Sequence, residues 1–235
     1  MPRAHNPNLT IVELAAHRLG PLIDEVVLLG GCATGLLLTD VAAPPIRATL
    51  DVDVITEVAS LSAYHRLSER LRSLGFREDQ SEGAPLCRWR ADALILDVMP
   101  THADVLGFGN PWYQPALDAS TQFALPSGQR IRMVTAPYFL ATKLAAFDDR
   151  GKGDYVMSHD LEDVVAVIDG RPELVDEVLN AEPELRNHLS VRFSTLLEDS
   201  AFLAALPGHL LADAVSQARL PLILARIQKI ATNLG

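Results

Sequence analysis

Cysteine is nearly absent from this chain: Cys32 and Cys87 are the only two in 235 residues. One pair cannot staple a disulfide scaffold or complete a Cys-based zinc site, and such usage fits a reducing cytosol. Long apolar runs are missing as well. None approaches the roughly 20 residues of a membrane span, and the opening MPRAHNPNLT lacks the apolar centre of a signal peptide. A soluble, cytoplasmic protein with no membrane partner is the expectation. Positive charge is scarce too: Lys and Arg total 20 against 30 Asp and Glu, a formal net charge of −10 spread over both halves. That counts against a general nucleic-acid binder with a broad basic face, though a local basic patch for a tRNA end is compatible with it. Lysine occurs only at 143, 152 and 229.

What the chain does have is apolar content, 49% of residues, enough for one large domain or a core with a helical appendage. Its organising stretch runs from Val26 to Ile55. Val26 to Leu29 reads as a buried strand, Gly30 and Gly31 end it abruptly, and Ala33 to Leu38 has the composition of a short helix. A glycine turn between strand and helix lets backbone approach a ligand closely and aims amides at an anion. After an Ala-Pro-Pro linker comes Asp51-Val-Asp53 in a second β-branched run. Strand alternation puts Asp51 and Asp53 on one face, where two carboxylates repel unless a cation lies between them. A divalent metal carrying a triphosphate suits that pair; an edge hairpin kept soluble by its aspartates is the plainer alternative.

Gly30-Gly31, a short helix, then Arg47-x-Thr49-x-Asp51-x-Asp53 resembles the nucleotidyltransferase signature of the polymerase-β superfamily. Within it, the chain most resembles the AbiEii/AbiGii-type nucleotidyltransferase toxins of bacterial toxin–antitoxin and phage-abortive systems. The resemblance implies an α+β fold: a nucleotidyltransferase core of mixed sheet and flanking helices over 1–135, then a helical region, 136–235, packed on that core. It implies an enzyme moving an NMP from an NTP to tRNA or protein, with Mg2+ or Mn2+, and restraint by a cognate antitoxin. An enzyme acting on a small molecule such as an aminoglycoside and an inactive binding module are the other readings. One departure is length: nineteen residues (32–50) separate Gly31 from Asp51, more than the shortest form of the motif. Another is that Cys32 and Thr34 stand where a serine commonly follows the second glycine.

Along the chain, Thr10-Ile-Val-Glu13 has capping-box form for a helix over 10–19. Ser60 caps an amphipathic helix ending at Gly75, and Phe76–Glu78, Leu86–Arg90 and Ala93–Met99 read as strands. In ALILDVMP, Asp97 is one charge in an apolar strand, costly unless paired or metal-bound. It matches the third carboxylate of the resembled superfamily, with a strand-end hydrogen bond as the alternative. Residues 100–128, rich in Pro and Gly, predict a long loop or lid, with Trp112 and Tyr113 as base-stacking or anchoring aromatics. Arg130–Val134 returns as a strand.

In the helix from Ala136, Leu140, Lys143, Leu144 and Phe147 share one face. A buried Lys143 ammonium must snorkel outward or meet an anion, and Lys143→Met is expected to preserve the fold. Asp149–Tyr155 is a basic turn carrying Arg150 and Lys152, followed by a helix from Ser158 with Asp160 and Asp163 near its start. The resemblance implies that Asp51, Asp53 and Asp97 bind metal and that Gly30, Gly31, Arg47 and Thr49 hold nucleotide. It also implies that Lys143 contacts phosphates and that Asp160 joins the catalytic set, with Arg150 and Lys152 gripping the acceptor. For Asp160 and Asp163 the plainer reading is stabilisation of the helix dipole. From Arg171 onward the chain reads as helical, without a further metal or nucleophile signature.

Overall fold

Residues 6–151 and 153–232 are described by the computed structural model of the chain; Lys152 lies outside them. The chain forms two compact units. The first runs up to Leu36 and resumes from Arg47 to Thr135; the second combines Leu37–Ile46 with the chain from Ala136 onward.

The first unit opens with α1 (Leu9–Leu19). Its N-cap position is Asn8, and that side chain makes no capping bond because it is committed to the loop before the second strand, described below. The buried strand β1 (Val26–Leu29) leads straight into α2 (Gly30–Leu37). This helix starts at Gly30, earlier than the expected Ala33, because Gly30 turns the chain by itself at φ +69°. β2 (Asp51–Thr56) follows, with Val52 and Val54 buried and Asp51 and Asp53 half-buried, as strand alternation requires. Ser60 caps α3 (Leu61–Ser73), its hydroxyl accepting from the Ala63 N–H at 3.2 Å. Then come β3 (Arg77–Glu78), β4 (Arg88–Ala91) and β5 (Leu94–Pro100).

The segment 100–128 departs from the expected structureless loop. It contains a 3-10 turn at Ala103–Val105, α4 (Tyr113–Asp118) and β6 (Thr121–Ala124), and β7 (Arg130–Met133) pairs back onto β6. The Pro and Gly residues punctuate short elements rather than preventing them. Side chains fasten the segment: Trp112 is buried, Tyr113 donates its hydroxyl to Met99 Sδ at 3.1 Å, and Arg132 donates to the Leu117 carbonyl at 3.0 Å.

All seven strands form one sheet in the order β3-β4-β5-β2-β1-β7-β6. The β2–β5 and β1–β7 pairs are parallel and the rest antiparallel, so the sheet is mixed, as expected. β2 sits at its centre between β5 and β1.

The second unit is helical: α5 (Ala136–Arg150), α6 (His159–Gly170), α7 (Leu174–Leu179), α8 (Pro183–Glu198), α9 (Ser200–Ala205), α10 (Ala214–Gln217) and α11 (Leu220–Ala231). α5 packs on α6 and α8, and α11 packs on α8. Leu37–Ile46 joins this unit through the end of α6, where the Thr39 and Asp40 N–H groups both donate to the Gly170 carbonyl at 2.9 Å. A β-carbon at Gly170 would lie 2.6 Å from Leu38, so glycine is what lets the excursion close. Arg219 holds it from the other side, donating to Asp40 at 2.8 Å and Asp169 at 2.7 Å. The long spacing between Gly31 and Asp51 is this excursion. No helix among the described residues is long and apolar enough to cross a membrane.

Candidate active site

Register fixes the carboxylates. In the parallel β2–β5 ladder Asp53 lies opposite Asp97, and Asp51 is two residues back along β2, so all three project from one face. Asp97, mid-strand and only 6% exposed, is not left as a lone buried charge. In the antiparallel β4–β5 ladder Arg88 lies opposite it. Arg88 grips Asp97 with a fork, Nε to Oδ1 at 2.8 Å and Nη2 to Oδ2 at 2.7 Å, and Nη2 also donates to Asp51 Oδ2 at 2.9 Å. These bonds, Asp97's first, raise the Arg88 pKa above its usual value and hold the guanidinium charged.

Asp51 is held from its other side as well. Thr49 donates its hydroxyl to Asp51 Oδ1 at 2.7 Å, so this residue, expected at the nucleotide, orients a carboxylate here. Cys32 Sγ donates to the Asp51 carbonyl at 3.0 Å. The loop leading into β2 is tied by Asn8, whose Oδ1 accepts from the Thr49 N–H at 2.9 Å and whose Nδ2 donates to the Arg47 carbonyl at 3.2 Å. The glycine pair closes the arrangement. A β-carbon at Gly30 would overlap the Asp53 carboxylate, and one at Gly31 would lie 2.8 Å from Arg47 Nη2. Cys87 stands next to Arg88 but is no nucleophile: burial, with Asp97 and Asp53 adding, pushes its thiol up to about 12.

The two glycines predict different outcomes. Gly30→Ala must place alanine in the left-handed region and displace Asp53, costing about 2 kcal/mol or more. Gly31→Ala asks only the flexible end of Arg47 to move and costs less. Urea denaturation midpoints of the two variants check this, with Gly30→Ala the lower.

The remaining predicted residues lie in the second unit. Lys143, on α5, is buried and meets anions of its own chain: Asp163 Oδ2 at 2.7 Å and Asp160 Oδ1 at 3.1 Å, both on α6. Arg150 adds a fork to Asp160, at 2.9 and 3.0 Å, while its own side chain stays mostly exposed. Burial pushes the Asp160 pKa up, but Lys143 and Arg150 together outweigh it, and the net shift is below the usual 3.8. Asp160 and Asp163 are therefore counter-ions to a buried lysine as well as helix-start acids. His159, which is exposed, pairs with Glu162.

No protein-family model matches the chain, and no curated protein does. Solved structures do. An antigenic nucleotidyltransferase-like protein from Paracoccidioides brasiliensis superposes with a TM-score of 0.51 at 21% identity, over 88% of this chain and 95% of that one. The chain has a nucleotidyltransferase-like fold. Two weaker likenesses accompany it. The antibiotic-resistance factor ANT(2'')-Ia has a TM-score of 0.49 at 16% identity, over 81% of this chain and 95% of that one. A protein from H. pylori, assigned to the nucleotidyltransferases, has a TM-score of 0.48 at 12% identity, over 97% and 96%.

On this nucleotidyltransferase-like sheet, sequence reasoning missed two residues, Arg88 and Asn8. Arg88 left a signal. A hairpin turning at Asp92-Ala93 pairs Ala91 with Leu94 and, counting outward, Arg88 with Asp97. Asn8 left none, because its partners lie 23 to 41 residues away, at the start of α2 and in the loop before β2.

The donor set suits a hard divalent cation, since every candidate ligand is a carboxylate oxygen. The guanidinium lodged between Asp51 and Asp97 also marks the place as one that stabilises positive charge. No three His, Cys, Asp or Glu side chains among the described residues are arranged to hold a metal ion.

Proposed function

We propose that this chain is a metal-dependent nucleotidyltransferase that moves an NMP from an NTP to a tRNA or protein acceptor. The observation that carries the reading is the placement of Asp51, Asp53 and Asp97 on one face of adjacent, register-locked strands, with the Gly30 turn packed against Asp53. In the reaction, an acceptor oxygen forms a bond to the α-phosphorus as the bond to pyrophosphate breaks, and the acceptor proton is released to solvent. Asp51, Asp53 and Asp97 would hold Mg2+ or Mn2+, which when bound supplies charge neutralisation at the attacking and leaving oxygens. The backbone at Gly30-Gly31 and the Arg47 guanidinium bind the β- and γ-phosphates. The family resemblance supports a phosphate contact for Lys143, a catalytic part for Asp160, and a hold on the acceptor for Arg150 and Lys152.

The AbiEii/AbiGii-type resemblance supports a toxin role in a toxin–antitoxin or phage-defence system, acting in the cytoplasm under a cognate antitoxin. The test is incubation of the full chain with labelled NTPs, Mg2+ and total bacterial RNA and protein. Label in tRNA or protein, lost in Asp53→Asn, is the expected result. For a tRNA acceptor gripped only by a local basic patch on an acidic protein, labelling falls steeply with salt. Label in neither, with transfer to an aminoglycoside instead, would replace the toxin with a small-molecule enzyme. Induced alone in a bacterium, the wild-type chain slows growth and Asp53→Asn does not. Equal harm from both would detach toxicity from nucleotidyl transfer.

A further inference from the structure

Arg88 occupies the carboxylate site as a cation would. Both oxygens of Asp97 are engaged by its fork, and Asp51 Oδ2 takes its remaining contact while Oδ1 takes Thr49. The reach is unusual for a residue serving only its own hairpin. Arg88 is on β4, and its guanidinium passes beyond the adjacent β5 to a carboxylate on β2. It thereby draws together the two acids whose oxygens a metal would need, and it takes both oxygens of Asp97, the ones a metal ligand would offer. Guanidinium and divalent cation demand the same negative charge. The Arg88 side chain is 22% exposed and sits on a flexible three-carbon stem, so it can leave without unfolding the strand.

We propose that Arg88 is the resident cation of the Asp51/Asp97 site, and that this guanidinium and a divalent metal are alternative occupants, so that metal loading requires Arg88 to withdraw. The inference rests on the reading of Asp51, Asp53 and Asp97 as metal ligands and adds how their occupancy is controlled. In the metal-free protein, Arg88 holds two neighbouring carboxylates aligned without a bound ion. An NTP arriving with its metal brings the phosphate charge that a displaced guanidinium needs, which couples metal entry to nucleotide entry.

The test is Mn2+ binding to the full-length chain by calorimetry, for wild type, Arg88→Gln and Asp97→Asn. Arg88→Gln is expected to bind Mn2+ about tenfold or more tightly than wild type, because a charge-assisted competitor of that strength is removed. The same variant should melt lower than wild type in EDTA and recover when Mn2+ is added. Asp97→Asn should lose binding. Should Arg88→Gln fail to fold, the Nε–H resonance of Arg88 in the wild type gives a second readout by NMR. Held by Asp97 Oδ1, it is expected to shift and lose protection as Mg2+ is titrated in. Equal Mn2+ affinity in wild type and Arg88→Gln, with Asp97→Asn still defective, would sink the competition and spare the metal site. An Arg88 resonance unmoved at saturating Mg2+ would do the same. Absence of Mn2+ binding in every variant, with or without a non-hydrolysable NTP analogue, would overturn the metal reading and this inference with it.

Discussion

Asp53→Asn is expected to lower NMP transfer by roughly a thousandfold or more, the scale of several kcal/mol of lost charge stabilisation, while the protein stays folded. Asp53 sits across from Asp97 and beneath Gly30, so an isosteric amide fits its space and removes one of three neighbouring negative charges. Its melting temperature should hold or rise. Asp51→Asn abolishes transfer too but behaves differently as a protein. Arg88 Nη2 donates to Asp51 Oδ2, and an asparagine amide placed there opposes donor to donor, or else turns its amide toward the Thr49 hydroxyl. Asp51→Asn should therefore melt below wild type. Transfer assays with labelled NTP and thermal melts on both variants check the pair. Undiminished transfer by the Asp51→Asn, Asp53→Asn double variant would end the metal-site reading.

Lys143→Met carries the largest expected stability effect. Apolar neighbours along α5 suggest that methionine would be tolerated, but the ion pairs reverse that expectation. Lys143 is the buried partner of both Asp160 and Asp163, whose side chains are also buried. Removing it strands carboxylate charge in the interior, at a cost of about 3–5 kcal/mol, or on the order of 10 °C in melting temperature for a chain this size. Adding Asp163→Asn to Lys143→Met should recover part of the loss, which a double-mutant cycle measures. A Lys143→Met variant as stable as wild type would show that the ammonium is not needed there. The pH dependence has a definite sign. The folded-state pKa of Asp160 is lowered, so its contribution is fully present above the ordinary Asp range and is lost as pH falls through the lowered value. The difference in urea midpoint between wild type and Asp160→Asn should stay flat from about pH 8 to about pH 5 and shrink only in stronger acid.

The parts of the site that follow from strand period and strand pairing were legible in the sequence. Val26–Leu29, the shared face of Asp51 and Asp53, and the buried-charge problem at Asp97 all come from alternation and apolar run length. Asp97's answer, Arg88, was present in the hairpin count but needed the turn at Asp92-Ala93 to be placed to the residue; a one-residue slip sends Arg88 to the other face. Segment 100–128 misled because Pro and Gly signal breaks without saying how short the pieces between them are. What was not legible was the pairing of distant loops. Asn8 meets Thr49 and Arg47, and Lys143 meets two acids across a turn, through contacts that no local pattern encodes.

The excursion from Leu37 to Ile46 has a consequence for synthesis on the ribosome. Arg171 donates to the Leu37 carbonyl at 2.6 Å across 134 residues of sequence, and the Gly170 carbonyl that receives Thr39 and Asp40 emerges just before it. The ten residues of the excursion therefore wait for these partners while the whole sheet-bearing unit is made and α5 and α6 follow. Until α6 leaves the exit tunnel, the stretch between Gly31 and Asp51 has no fixed anchor at its middle. Vectorial folding can complete the strands in order, but it cannot anchor this excursion until synthesis has passed Arg171.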